Sequence, residues 1–279
     1  MVVDFHTHVP INDNGIFEIT PEEFIHKMDQ AGIDCSVVLG VDSGIKSDGA
    51  EEKTDFTDEK VKEFCAFNPE RLIGFASIHP NRPNPLRKVQ NAIENLGLKG
   101  VKLYPHRGFI PTDPKLWDVY EYCEQSNVIL MFHTGIKALQ EHRIIFNSPV
   151  YIDEIAVSFP KLKIIMCHGG YPWTEEFLTV AYSNPNIIVD ITFLEHIEKT
   201  FAIPSFAHYF IKRLVNTIGS KRIVWGSEGP KLKLPLFESK DISYFRIKDI
   251  LVNDNESLKE EEKDDILGNN AIKLLNLQY

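Results

Sequence analysis

The chain is short of cysteine, of basic residues, of long apolar runs and of glycine-rich turns, and each shortage closes off a class of protein. Four cysteines occur in 279 residues, Cys35, Cys65, Cys123 and Cys167, at scattered spacings. They make no zinc-ribbon or redox motif and no disulfide framework, so four reduced thiols in a cytoplasmic protein are expected. Lysine and arginine number 30 against 40 aspartates and glutamates, a net charge of −10. A general nucleic-acid binder needs a basic surface to displace counterions, and the balance here is the reverse. Part of the acid surplus is local: Asp254 to Asp265 holds seven acids and two lysines and reads as a solvated face. No stretch nears the ~20 apolar residues of a membrane span. The start, Met1-Val2-Val3-Asp4, lacks the basic segment that opens a signal peptide, so none is expected. No G-x-G-x-x-G turn follows the first apolar run, and Gly169-Gly170 is too short to replace one.

What is present is an alternation. Apolar runs of strand length occupy residues 2–6, 36–41, 72–78, 100–104, 128–133, 163–168, 186–192 and 222–226. They are continuous in Val, Ile and Leu, as parallel strands buried on both faces are. Helical patterns fill the gaps at 21–31, 57–67, 85–95, 115–125, 149–159, 174–183 and 204–218. The first shows clear end signals: Thr20 as cap, Pro21 at the first helical position, Glu22 and Glu23 in the first turn, Gly32 at the stop. Eight strand–helix units in this length match a (β/α)8 TIM barrel, with residues 1–279 as a single domain and a closing helix at about 266–277. A doubly wound sheet is the competing architecture, disfavoured by the missing glycine-rich turn. The polar insert at 42–56 follows the second strand and falls on the catalytic face of such a barrel, either as a lid or as a loop without a role.

Asp4-Phe5-His6-Thr7-His8 is the sharpest feature. Residues two apart on a strand point the same way, so His6 and His8 both project toward the barrel axis, ~7 Å apart. They lie at the C-terminal end of the strand, where barrel enzymes do chemistry. Two neutral imidazoles so placed can converge on one divalent ion; without an ion, each needs a buried partner. His133, His168 and Glu228 end the apolar runs of strands five, six and eight. The expectation is one site built from four strands. Histidine and carboxylate donors suit zinc, with manganese or iron as alternatives.

His6-x-His8, Gly100-Val101-Lys102-Leu103, His133-Thr134-Gly135, His168-Gly169-Gly170, Gly226-Ser227-Glu228-x-Pro230 and Ile266-Leu267-Gly268-Asn269-Asn270-Ala271 occur in that order. In this ordered set the chain resembles the amidohydrolase superfamily, and more closely its amidohydrolase-2 branch, related to aminocarboxymuconate semialdehyde decarboxylase. The resemblance implies metal ligation by His6, His8 and His133, and an acid/base or orienting role for His168. It puts Glu228 where the family usually carries an aspartate that ligates metal and handles the proton. Glutamate is one methylene longer, so the side chain must fold back or the backbone withdraw; otherwise it is displaced and free of metal. Lys102 stands on strand four, where other amidohydrolases carry a carbamylated lysine bridging two metals. Here a buried lysine paired with a pocket carboxylate is the expectation, because an unpaired buried ammonium is costly. A homodimer or higher assembly is a further implication of the resemblance.

The residues expected to read a substrate are His106 and Arg107 after strand four, Lys102, Tyr104, and His79 at the end of strand three. Arg107 suits a substrate carboxylate in bidentate fashion, the alternative being an exposed loop arginine. Lys231 and Lys233 are offered the same role, and Tyr104, Tyr171, Trp173 and Phe193 the walls of an apolar pocket. His26, His142, His196 and His208 read as surface residues. Cys167, alternating with His168, is expected to face the helices. The reading is a metal-dependent hydrolase of a lactone, ester or amide bond in a small, possibly anionic compound, acting through metal-activated water with His168 or Glu228 as base. Non-oxidative decarboxylation of an aromatic or muconate-like acid is the alternative, and a non-catalytic metal- or ligand-binding barrel the next. Phosphoesterases of the PHP kind and deoxyribonucleases of the TatD kind also open with a His-x-His strand. The acidic balance argues against a DNA substrate, and Gly226-Ser227-Glu228 matches both families poorly.

Overall fold

The computed structural model describes residues 1–12, 14–45, 49, 55–137, 139–229, 246–253 and 258–278. Eight strands form one sheet in chain order: β1 (Val3–Thr7), β2 (Cys35–Leu39), β3 (Leu72–Ser77), β4 (Gly100–Leu103), β5 (Ile129–Phe132), β6 (Ile164–Met166), β7 (Ile187–Asp190) and β8 (Ile223–Val224). Every neighbouring pair is parallel. The sheet closes on itself: Phe5 N–H donates to the Trp225 carbonyl at 2.9 Å and Glu228 N–H to the His6 carbonyl at 2.9 Å. Sequential order with closure is a (β/α)8 barrel and excludes the doubly wound sheet.

Helices α1 (Pro21–Ala31), α2 (Asp58–Cys65), α3 (Pro85–Glu94), α4 (Trp117–Gln125), α5 (Val150–Ser158), α6 (Thr174–Ser183), α7 (Leu194–Thr200) and α8 (Phe206–Ile218) ring the barrel. The start of α1 is a full capping box between Thr20 and Glu23, and Gly32 ends it in the left-handed region at φ 63°. Past β8, α9 (Arg246–Asn253) and α10 (Glu260–Asp264) lead through a π turn at Asp265–Asn269 into α11 (Asn270–Leu275). Helical conformation therefore starts ahead of residue 266 and ends at Leu275.

Two apolar layers hold the barrel. The inner column takes alternate residues, among them Val37, Phe75, Met131, Ile165 and Val224, with Ala271, Ile272 and Leu275 of α11 packed against it. The outer layer takes the intervening residues, such as Val38, Val101, Leu130 and Val189, against the helices. Strand β1 breaks the alternation. Its register against β2 slips between Asp4 and Thr7, an extra residue of the bulge type. Val3 and Phe5 belong to the inner column, and the slip turns His6 and His8 inward as well.

Residues 46–48 and 50–54 of the insert expected as a lid lie outside the described residues, as do Lys231 and Lys233. The described ends of the insert are pinned. Asp42 accepts from Arg82 at 2.9 and 3.0 Å and from Lys88 at 2.6 Å. Asp55 accepts from Ser43 N–H at 2.8 Å.

Candidate metal centre

The wall of the site is built from strand ends whose inward phase carries polar atoms. On β7, Ile188 faces inward, and two residues on the same face is Asp190. On β4, Val101 and Leu103 face the helices, so Lys102 faces the axis. On β5, Met131 faces inward, and His133 follows on that side. Gly226 lets the end of β8 approach β1, because a Cβ there would overlap His6 Cβ. Beyond it Glu228 adopts φ 67°. This left-handed turn, two residues after Gly226, sets the carboxylate back over the first strand.

His6, His8 and Glu228 converge. His6 Nε2 is 3.5 Å and His8 Nε2 3.6 Å from the two Glu228 carboxylate oxygens, and the three donor atoms lie within 4.8 Å of one another. With zinc–ligand bonds of ~2.05 Å, the edge of a tetrahedron is ~3.3 Å. The observed spacings approach that edge, so the donor set fits a divalent ion. The left-handed backbone at Glu228 brings the longer side chain within this spacing of both histidines.

Behind these candidate donor atoms, His6 Nδ1 lies 2.6 Å from Asp190 Oδ2. Asp190 also accepts from Thr192 N–H at 2.8 Å and from the Thr192 hydroxyl. An imidazole that donates Nδ1–H to a carboxylate presents its Nε2 lone pair to the ion. Asp4 holds the other side of the seam, accepting from Ser227 N–H at 3.0 Å and His6 N–H at 3.2 Å. Asp190→Asn is expected to weaken metal binding 10–100-fold, read by chelator competition on protein whose circular dichroism is unchanged.

Burial sets the charge states. It holds the His6, His133 and His168 imidazoles well below their ordinary range, and pushes His8 down to about 3. All four rings are therefore neutral with lone pairs available, as ligation requires. Burial pushes the Glu228 carboxyl up to about 8 against the pull of Lys102, and Asp4 to about 7. A carboxyl so poorly solvated gains from a cation at its side.

His168 reaches the cluster by a backbone turn at φ 61°. Its Nδ1 is 3.4 Å from Glu228 Oε1 and 3.3 Å from the Thr192 carbonyl; its Nε2 is 3.2 Å from His133 Nδ1. His133 Nε2 is 2.6 Å from the Ile136 carbonyl and so donates there. His133 thus stands one ring away, outside the group of His6, His8 and Glu228.

Several expectations change. Cys167 faces the axis and not the helices: it continues the inward phase of Ile165, and the turn at His168 then brings that ring inward too. Lys102 pairs with Cys167 Sγ at 2.9 Å and, among the described residues, with no carboxylate. His196 is buried, stacked on Phe193 at 4.7 Å, and His142 is half-buried 4.4 Å from the His106 ring. Phe193 lies 6.1 Å from His168, whereas Tyr171 packs on Phe201, at the end of α7, and Phe206, at the start of α8. His26 is exposed and His208 half-buried.

On the β4 side, Tyr104 is buried 6.2 Å from the His8 ring and its hydroxyl donates to the Gly40 carbonyl at 2.8 Å. His106 is buried against His133 at 4.4 Å and held by Asn147. Arg107 is half-buried over the Tyr104 ring at 5.5 Å, bonds Ser43 and lies 3.8 Å from Asp55. Its Nε has no partner among the described residues. His79 is buried against Phe109. Asp190 and Asn147 were not anticipated; for Asp190 the signal was present, an acid ending the run Ile187-Ile188-Val189. No described helix is long and apolar enough to cross a membrane.

The comparisons agree with this architecture. A 2-amino-3-carboxymuconate-6-semialdehyde decarboxylase of Dictyostelium discoideum is 23% identical over 257 residues, which is 83% of this chain and 68% of the relative. The structure of a probable 2-pyrone-4,6-dicarboxylic acid hydrolase from Acinetobacter baumannii, with citric acid bound, superposes with TM-score 0.68 at 16% identity over 99% of each chain. That of a 5-carboxyvanillate decarboxylase from Novosphingobium aromaticivorans, with bound manganese, gives TM-score 0.67 at 14% identity, covering 99% of this chain and 97% of its own. At such identities the structural likeness speaks for the fold. The amidohydrolase family model (Amidohydro_2) spans residues 3–277, strand ends included, and the chain accordingly belongs to this family of metal-dependent hydrolases, hydratases and decarboxylases.

Proposed function

We propose that the protein is a hydrolase of a small carboxylate-bearing lactone, ester or amide, working with a single zinc ion. The observation that carries this reading is the convergence of His6 Nε2, His8 Nε2 and the Glu228 carboxylate, with His168 Nδ1 3.4 Å from the same carboxylate. His133 is assigned as a further donor: with Nε2–H on the Ile136 carbonyl, its Nδ1 lone pair is left on the side of the cluster. When bound, the ion lowers the pKa of a coordinated water toward ~7 and polarises the scissile carbonyl.

The chain's own groups do the rest. Asp190 keeps His6 in the tautomer with Nε2 free. His168 and Glu228 stand where a proton leaving the nucleophile is received and later returned to the leaving group. Arg107, half-buried over the Tyr104 ring with its Nε–H buried and unpartnered among the described residues, is assigned to a substrate carboxylate. His106 and His79 line the same side. The four free, buried cysteines support a reducing, cytoplasmic setting.

Decarboxylation is the second reading, favoured by the Dictyostelium relative. The test is zinc-reconstituted protein on a panel of carboxylated lactones and hydroxybenzoates, following acid release and bicarbonate release separately. Acid release from a lactone supports hydrolysis. Bicarbonate release without it replaces that reading with decarboxylation, and turnover of neither class refutes both. On the substrate found, Arg107→Ala is expected to raise KM by about 10–100-fold, from a lost charge-assisted hydrogen bond of ~1.5–3 kcal/mol. His133→Ala that keeps its full metal would remove that residue from the ligand set.

A further inference from the structure

Beneath the ligands assigned above lie two buried groups that the proposed reaction leaves unused, Lys102 and Cys167. Lys102 is fully buried. Its Nζ lies 2.9 Å from Cys167 Sγ, 3.5 Å from His6 Nε2 and 5.5 Å from the Tyr104 ring centroid. Around it, His6, Cys167 and His168 offer a nitrogen, a sulfur and a nitrogen within 4.8 Å of one another. This is a second set of three donors with metal-ligand spacing, and its chemistry differs from the first. Imidazole with a thiol suits zinc, cobalt or cadmium, whereas the set with the Glu228 carboxylate also suits manganese.

His6 belongs to both sets and has one nitrogen to give, since Nδ1 is tied to Asp190. Through His6, one ion can use either set but two ions cannot share it. The inner set already holds a cation, the lysine ammonium, cradled by sulfur, by an imidazole and by an aromatic ring. A divalent ion entering there would meet that charge in a place water does not screen.

We propose that His6, Cys167 and His168 form an alternative, sulfur-containing site for a soft or borderline divalent cation, and that Lys102 occupies it and so holds the catalytic ion on His8 and Glu228. Lys102 is then a positioning residue, an internal cation in place of a second metal. The inference deepens the metal-centre reading above and rests on it. Ligation by Cys167 displaces the thiol proton to solvent and forms one metal–sulfur bond, with no change of oxidation state.

The test is optical. Metal-free wild type, Lys102→Met and Lys102→Met/Cys167→Ser are each loaded with cobalt(II), and bound metal is counted beside the absorption spectrum. The wild type is expected to bind one equivalent without the near-ultraviolet sulfur-to-cobalt charge-transfer band. Lys102→Met is expected to gain that band, and the double variant to bind cobalt and lose it. A band in the wild type overturns the inference, as does cobalt-loaded Lys102→Met without one. Should Lys102→Met not fold, Lys102→Gln takes its place, and the wild-type spectrum decides independently. A wild type that binds no cobalt refutes the metal centre itself, and this inference with it, so the two failures are told apart by the metal count.

Discussion

Replacing His6 by alanine is expected to strip the protein of its metal and to lower its melting temperature together. The ring has two duties in one plane. Nε2 faces the Glu228 carboxylate at 3.5 Å and Nδ1 meets Asp190 at 2.6 Å. Loss of a partner behind a ligand costs 10–100-fold in metal affinity; loss of the ligand itself should exceed that, leaving under a tenth of an equivalent after dialysis. The second effect comes from Asp190, fully buried. With His6 gone, Asp190 Oδ2 loses its partner, while Oδ1 keeps Thr192. An orphaned buried acceptor costs ~1–3 kcal/mol, which for a domain of this size lowers Tm by about 2–10 °C. Metal analysis and a melt in excess chelator separate the two, because the chelator removes the metal contribution from wild type and variant alike. A variant that keeps a full equivalent of metal would dismantle the ligand set.

The same residue marks how far the sequence could be read. That His6 and His8 share a face follows from their spacing alone, and the barrel follows from eight apolar runs in alternation. Neither depends on long-range detail. The phase of the pair is another matter: Val3 and Phe5 also face inward, and only the slipped register against β2 admits both sets. A bulge is decided by the neighbouring strand and leaves no local signature. Cys167 fails for a related reason. Strict alternation predicts one inward residue of Cys167 and His168, but the left-handed turn at His168 supplies two. Lys102 was legible as buried, yet its partner was not, since a thiol 65 positions away cannot be chosen over a carboxylate without the fold. Glu228 is the converse: the sequence raised whether a longer acid can still reach, and the fold adds a left-handed backbone that sets its carboxylate oxygens 3.5 and 3.6 Å from the two histidine nitrogens.

Glu228 therefore carries the other large effect, and its two shortest changes should separate reach from charge. Glu228→Asp withdraws the carboxylate by one carbon–carbon bond, ~1.5 Å, on a backbone already fixed by Glu228 N–H to the His6 carbonyl at 2.9 Å. Displacement by 1 Å at a reacting centre can cost about 10²-fold in rate, so kcat should fall by that order with the charge retained. Glu228→Gln keeps the length and removes the charge, and its signature is in the pH dependence of metal affinity. The sign follows from the metal-free carboxyl at about 8. Below that pH the group is protonated, and each ion bound must displace the proton, so wild-type affinity should rise about tenfold per pH unit and level off above 8. The histidines add no slope there, His8 already being neutral above about 3. In Glu228→Gln the rise should vanish, with affinity below the wild-type plateau by at least about 10²-fold. Competition against a chromophoric chelator at pH 6, 7 and 8 reads both quantities. An equal slope in wild type and Glu228→Gln would show that the displaced proton comes from another group and that Glu228 does not ligate as its carboxylate.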